Sequence, residues 1–230
     1  MTTIPGNLQH VRARIATACQ RAGRGVEEVT LLAVSKTFGA DAVRAAAAAG
    51  QRAFGENYIQ EGVEKIAALR DLGLTWHCIG TIQSNKTRLV AEHFDWVHTV
   101  DRLKIAERLS AQRPADRPPL NVCIQVNIDG GANKSGVAPG EALALARAVA
   151  ALPQLKLRGL MSIPEIAPDF EAARAVHAGA RALFDQLNAD GLGLDTLSMG
   201  MSDDLEAAIA AGSTMVRIGT AIFGSRAPKP

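Results

Sequence analysis

The chain has 230 residues, 47% of them hydrophobic, which suits one α/β barrel with a sizeable buried core. Its 25 Lys and Arg against 23 Asp and Glu leave a net charge of +2, too even a balance for a nucleic-acid or anionic-membrane surface. Three scattered cysteines, Cys19, Cys78 and Cys123, have no metal-ligand spacing and fit reduced thiols better than a disulfide framework, and the lack of a signal-peptide core or membrane-length apolar run predicts a soluble cytoplasmic protein.

In chain order, a helix is predicted over residues 7–22, with Leu8, Val11, Ile15 and Ala18 on one face and Gly23 and Gly25 closing it. Strands are predicted at 29–35, 52–55, 75–80, 96–99, 121–128, 156–162, 196–199 and 214–218. Helices are predicted between them at 40–49, 59–72, 85–92, 102–112, 140–151 and 170–188, and after the seventh strand at 204–211. Several strands are continuous apolar runs, as in a parallel sheet covered on both faces. Alternating strands and helices in so short a chain predict a single (β/α)8 TIM-type barrel, residues 1–230, with an extra N-terminal helix. An open doubly wound sheet is the alternative. The proline-rich stretch 113–119 reads as a loop, and alanine runs such as 45–49 are strong helix formers.

Barrels of this kind work at the C-terminal ends of their strands. The first predicted strand runs into Ser35-Lys36-Thr37, and a period of two places Leu32, Val34 and Lys36 on one face. If Val34 fills the interior, Lys36 points up the axis at the mouth. Taken alone it is a solvated end-cap. Among apolar walls its ammonium is disfavoured, and the neutral amine attacks an aldehyde to form a Schiff base. After the second strand come Gly55, which suits close backbone approach, and Asn57, which is either a cap of the next helix or a polar contact. His77 reads as a core histidine satisfied by one hydrogen bond.

After the seventh strand, Ser202 sits where a helix is predicted to begin. There it is an anion contact or, like Asp203, an N-cap. After the eighth, Gly219 admits a ligand close to the backbone and Thr220 adds a hydroxyl. Barrels often bind phosphate with these two loops. Arg217 shares a strand face with Met215 and needs a partner inside the barrel. That partner is a structural ion pair, or the pyridine nitrogen of pyridoxal phosphate, for which an arginine is a recognised partner. Barrel closure would put strands one and eight side by side, joining Lys36 to Arg217 and the phosphate loops. The five histidines, His10, His77, His93, His98 and His177, lack metal-site spacing, so no metal is expected.

With these residues in view, the chain resembles the YggS/PROSC family, the pyridoxal phosphate homeostasis proteins, over almost its whole length. The motifs that carry the resemblance are Ala33-Val34-Ser35-Lys36-Thr37, Phe54-Gly55-Glu56-Asn57-Tyr58, Trp76-His77 with Ile79-Gly80, Gln83-Ser84-Asn85-Lys86, Lys134-Ser135-Gly136, Gly159-Leu160-Met161, Ser198-Met199-Gly200-Met201-Ser202 and Val216-Arg217-Ile218-Gly219. The resemblance implies a fold-type III barrel like the N-terminal domain of alanine racemase, standing alone, and a lone barrel without the racemase's partner domain suggests a monomer. It implies pyridoxal 5′-phosphate as a Schiff base on Lys36, phosphate near Ser202, Gly219 and Thr220, Arg217 facing the ring nitrogen, and Asn57 as a ring or supporting contact. It also implies a role in vitamin B6 balance, possible hand-over to apo-enzymes, and no robust turnover. The chain departs from many relatives at Phe38-Gly39, where they carry a basic residue often followed by proline. A secondary cofactor site at Lys134 or Lys229 is open, against the plainer reading of solvated surface lysines.

Three functions compete. A carrier is favoured by Arg217, because a guanidinium gives the ring nitrogen no proton and leaves the ring a weak electron sink. An amino-acid racemase needs a second base opposite Lys36, and the only tyrosine, Tyr58, lies in the second βα loop. A cofactor-free Schiff-base aldolase leaves Arg217 unexplained.

Overall fold

The computed structural model describes residues 3–131 and 135–225. Lys134 and Lys229 lie outside them.

Helix α1 spans Ile4–Arg21 and starts earlier than the periodicity predicts. Thr3 caps it by accepting the Gly6 N–H, and Pro5 pre-sets the first turn. Strand β1 (Thr30–Val34) leads to α2 (Ala40–Ala48), β2 (Ala53–Glu56) to α3 (Ile59–Ala68), and β3 (Thr75–Cys78) to α4 (Thr87–His93). Strand β4 (Trp96–Val100) leads to α5 (Leu103–Gln112), β5 (Leu120–Gln125) to α6 (Ala142–Ala150), and β6 (Leu155–Met161) to α7 (Phe170–Ala189). Strand β7 (Thr196–Ser198), α8 (Leu205–Ala210), β8 (Met215–Ile218) and the four-residue α9 (Thr220–Phe223) follow. The eight strands pair in sequence order as a closed barrel, and β1 and β8 pair parallel with Leu32 opposite Arg217 and Ala33 opposite Ile218. Closure excludes the open sheet.

Most departures from the predicted elements are trimmed ends. Residues 59–72 are one periodic run, yet α3 stops at Ala68 and a 3₁₀ turn, Arg70–Leu72, follows before Gly73 at φ 58°. The fifth strand ends at Gln125 rather than 128, since Val126 already bridges to Val137 outside the barrel ladder. Helix α9, at four residues, is too short to show a period in the sequence.

Alternation along the strands sorts two cores. Outward-facing Ala33, Phe54, Trp76, Cys78, Val97, Val122, Val216 and Ile218 pack with the helices. Inward-facing Leu32, Val34, Ile79 and Met215 form a cluster inside the barrel. Trp96, Cys123 and Met161 form another small cluster of inward-facing residues. Each fully buried Leu or Phe of these layers contributes about 1.5–3 kcal/mol. The described cysteines are all free and buried, and no described helix is long and apolar enough to cross a membrane.

Candidate functional site

Val34 lies in the interior cluster, as the period-two reading requires. Ser35 turns outward, its hydroxyl donating to Glu56 Oε1 at 2.5 Å. Lys36 follows, half-buried, in the turn after β1, where alternation returns to the inner side. Thr37 takes φ 69°, a left-handed conformation unusual for a β-branched residue.

Arg217 is 5% exposed. Its two terminal nitrogens donate to Ser198 Oγ at 2.8 Å and to the Ser162 carbonyl at 2.9 Å. Burial pushes its guanidinium down to about 10, still a cation at neutral pH. It has no ion-pair partner within salt-bridge distance among the described contacts; neutral oxygens hold it instead.

The same Ser198 hydroxyl meets His98 Nδ1 at 2.9 Å, and His98 Nε2 meets His77 Nδ1 at 2.9 Å. His77 stacks on Trp96 with ring centroids 5.1 Å apart. His77 is thus the core histidine that its sequence context suggests. The chain His77–His98–Ser198–Arg217 was not foreseen, because it joins side chains from β3, β4, β7 and β8. One proton order uses each donor once: Arg217 to Ser198, the Ser198 hydroxyl to His98, and His98 Nε2–H to His77. Burial holds His77 down at about 3 and His98 well below the usual histidine range, so both rings are neutral.

Ser202 sits in a turn ahead of α8, not at its first residue. The N-cap is Asp204, whose Oδ1 accepts the Met201 N–H at 2.6 Å, so neither Ser202 nor Asp203 caps the helix. Asp204 Oδ2 bonds His177 Nε2 at 2.8 Å, tying this turn to α7. Gly200, at φ 97°, lets the loop pass over α8: a Cβ there would stand 2.5 Å from Ala208 Cβ. The N-terminal helix supports both late loops. Arg14 donates to the Ser202 carbonyl at 3.0 Å and grips Glu206 with two bonds of 2.9 Å, while Asn7 donates to the Ile222 carbonyl at 2.9 Å.

Gly219 follows β8 directly. A Cβ there would stand 3.2 Å from the Val34 carbonyl, so its small size lets the β8 loop lie against the end of β1. Thr220 opens α9 and is exposed. Asn57 lies across the mouth after β2, half-buried, with Oδ1 buried and without a hydrogen-bond partner among the described residues. It lines a cavity of about 240 Å³ with Ile79, Gly80, Thr81, Thr99 and Gln125. Neighbouring strands thus bring together the ends carrying Lys36, Arg217, Gly219 and Thr220, with Ser202 beside them on the β7 loop. Among the described residues no group of three or more His, Cys, Asp or Glu is placed to hold a metal ion.

The family model of the alanine racemase N-terminal domain matches residues 6–227. A pyridoxal phosphate homeostasis protein of Pseudomonas aeruginosa is 63% identical over 226 residues, covering 98% of this chain and 97% of its own. One of Escherichia coli is 58% identical over an alignment of 236 residues, covering 98% of both chains. Among solved structures, PipY of Synechococcus elongatus with PLP bound superposes with a TM-score of 0.80 at 40% identity, covering 91% of this chain and 100% of that one. Alanine racemase of Corynebacterium glutamicum shares the fold, with a TM-score of 0.66 at 21% identity over 96% of this chain and 62% of that one. The chain belongs to the pyridoxal phosphate homeostasis protein family, which is built on the alanine racemase N-terminal domain.

Proposed function

We propose that the chain binds pyridoxal 5′-phosphate reversibly at the mouth of the barrel, as a Schiff base on Lys36, and serves vitamin B6 homeostasis in the cytoplasm as a carrier rather than a turnover enzyme. The names of its relatives and the PLP-bound PipY support the ligand. The residues fit it. Lys36 supplies the amine. Ser202, Gly219 and Thr220 lie on the late loops where a phosphate would sit, and Asn57, whose buried Oδ1 has no hydrogen-bond partner among the described residues, lines a cavity at the strand ends. Once bound, the group supplies an aldehyde carbon and a conjugated pyridine ring able to take up electrons.

The observation that carries the carrier reading is Arg217. Ser198 and Ser162 fix its guanidinium inside the barrel, and it stays charged at neutral pH. A guanidinium donates hydrogen bonds and cannot pass on a proton. A ring nitrogen set against it stays unprotonated, which favours holding the cofactor over carbanion chemistry. Behind it His98 and His77 are held neutral by burial, so neither ring offers an acidic proton toward Arg217. The chain acts as a monomer and apo-enzymes are its recipients.

The test is to mix the purified protein with pyridoxal phosphate, record the visible spectrum, reduce with borohydride and map the modified peptide by mass spectrometry. A single adduct on Lys36 is expected. Labelling spread over surface lysines, or none, would remove this reading and favour a sugar-phosphate Schiff-base enzyme. Alanine racemisation that disappears in Lys36→Ala would replace the carrier with a racemase.

A further inference from the structure

The peptide units on either side of Lys36 are both held from behind by one ion pair on α3. Lys65 is 5% exposed. Its Nζ donates to the Ser35 carbonyl at 2.8 Å, to Glu56 Oε1 at 2.8 Å and to Glu61 Oε1 at 2.6 Å. These three acceptors match the three donors of an ammonium, which is what burial of a lysine requires. The same Glu61 oxygen accepts the Thr37 N–H at 2.6 Å.

The Ser35 carbonyl belongs to the peptide entering Lys36, and the Thr37 N–H to the peptide leaving it. Because each peptide is planar, fixing both leaves the Lys36 backbone little freedom. Thr37 holds φ 69°, and a β-branched residue stays there only when its surroundings impose it. The Glu61 bond is such a constraint. An ion pair that served only to fasten α3 to β2 would have no reason to reach Thr37.

We propose that Lys65 and Glu61 are positioning residues: their hydrogen bonds to the Ser35 carbonyl and the Thr37 N–H clamp the 35–37 turn from the outer face so that Lys36 is presented to the mouth in one orientation. The functional consequence rests on the reading of Lys36 as the attachment point. A pre-set amine reacts faster than one that must first be oriented, and a displacement of about 1 Å can cost up to about a hundredfold.

The experiment compares Glu61→Ala with Glu61→Gln. Glutamine keeps a neutral acceptor for the Thr37 N–H, and alanine removes it. Two quantities are read: hydrogen–deuterium exchange of the peptide containing Thr37, without ligand, and the rate of covalent attachment of pyridoxal phosphate to Lys36. Glu61→Ala is expected to exchange faster at Thr37 and attach about tenfold more slowly, with Glu61→Gln within about threefold of the parent. The Glu61 side chain is 30% exposed and alanine is a strong helix former, so the fold should persist. The paired change Glu56→Gln with Lys65→Met removes the buried charges together and is expected to slow attachment likewise.

Parent-like attachment in Glu61→Ala would overturn the clamp. Equal slowing by both Glu61 variants would also overturn it, since the effect would then follow charge rather than the hydrogen bond. Faster exchange spread over α3 and β2 would reduce the pair to structural glue. If the parent itself takes no pyridoxal phosphate on Lys36, the cofactor reading fails while the exchange data still report on the turn.

Discussion

Arg217 donates to Ser198 Oγ at 2.8 Å in the barrel interior, and that single hydroxyl links the guanidinium to a pair of neutral histidines. The arginine is therefore held by uncharged partners whose own protons are already committed. Arg217→Glu reverses the charge offered to a ring nitrogen. Its bound-cofactor absorbance is expected to shift, with affinity reduced by about tenfold or more. An unaltered visible spectrum would count against the contact.

Lys36→Ala is expected to abolish the borohydride-trapped adduct while leaving weaker, phosphate-anchored binding. Equilibrium dialysis with pyridoxal phosphate and intact mass after reduction check the two halves separately. A persistent adduct of unchanged yield would place the attachment point elsewhere.

The buried histidines predict a pH dependence of stability. Burial lowers His77 from 6.5 to about 3 in the folded chain, and His98 moves in the same direction. The unfolded chain therefore binds more protons than the folded one once the pH drops below about 6.5. Their contribution is complete above that value and is lost as the pH falls toward 3, at up to about 1.4 kcal/mol per pH unit for each ring. Urea midpoints between pH 7.5 and 4.5 (a range set by the ordinary histidine value) measure it. His77→Phe keeps a ring against Trp96 and removes one of the two titrations, so its slope should be shallower.

Arg14 connects the N-terminal helix to the β7 loop through the Ser202 carbonyl and Glu206. The ion pair is part-exposed and adds about 0–1 kcal/mol on its own, so its main effect is on the loop. Arg14→Ala is expected to weaken phosphate or pyridoxal phosphate binding several-fold while lowering the melting temperature by only a few degrees. Titration calorimetry against inorganic phosphate checks it, and a parent-like affinity would make α1 irrelevant to phosphate binding by the late loops.

Much of the architecture was legible in the sequence because its signals are local. Period-two alternation put Val34 and Arg217 on inward faces, and both are there. Continuous apolar strands separated by helices predicted a closed parallel barrel, which is what forms. Where turns and caps decide, periodicity gave less. Thr3 and Pro5 carry α1 back to Ile4, and Asp204 rather than Ser202 or Asp203 caps α8.

The amino-acid sequence by itself determined the barrel, its inward and outward faces, and the lysine, arginine and loop residues offered at the mouth. These follow from side-chain period and residue chemistry, which chain neighbours fix. Only the tertiary structure decided how those groups are held. His98 meets Ser198 across 100 residues of chain, Arg14 reaches Ser202 across 188, and Lys65 reaches the Ser35 carbonyl from the far side of the sheet. Such bonds depend on barrel closure and on which helix packs behind which strand, and no local pattern of residues encodes that geometry.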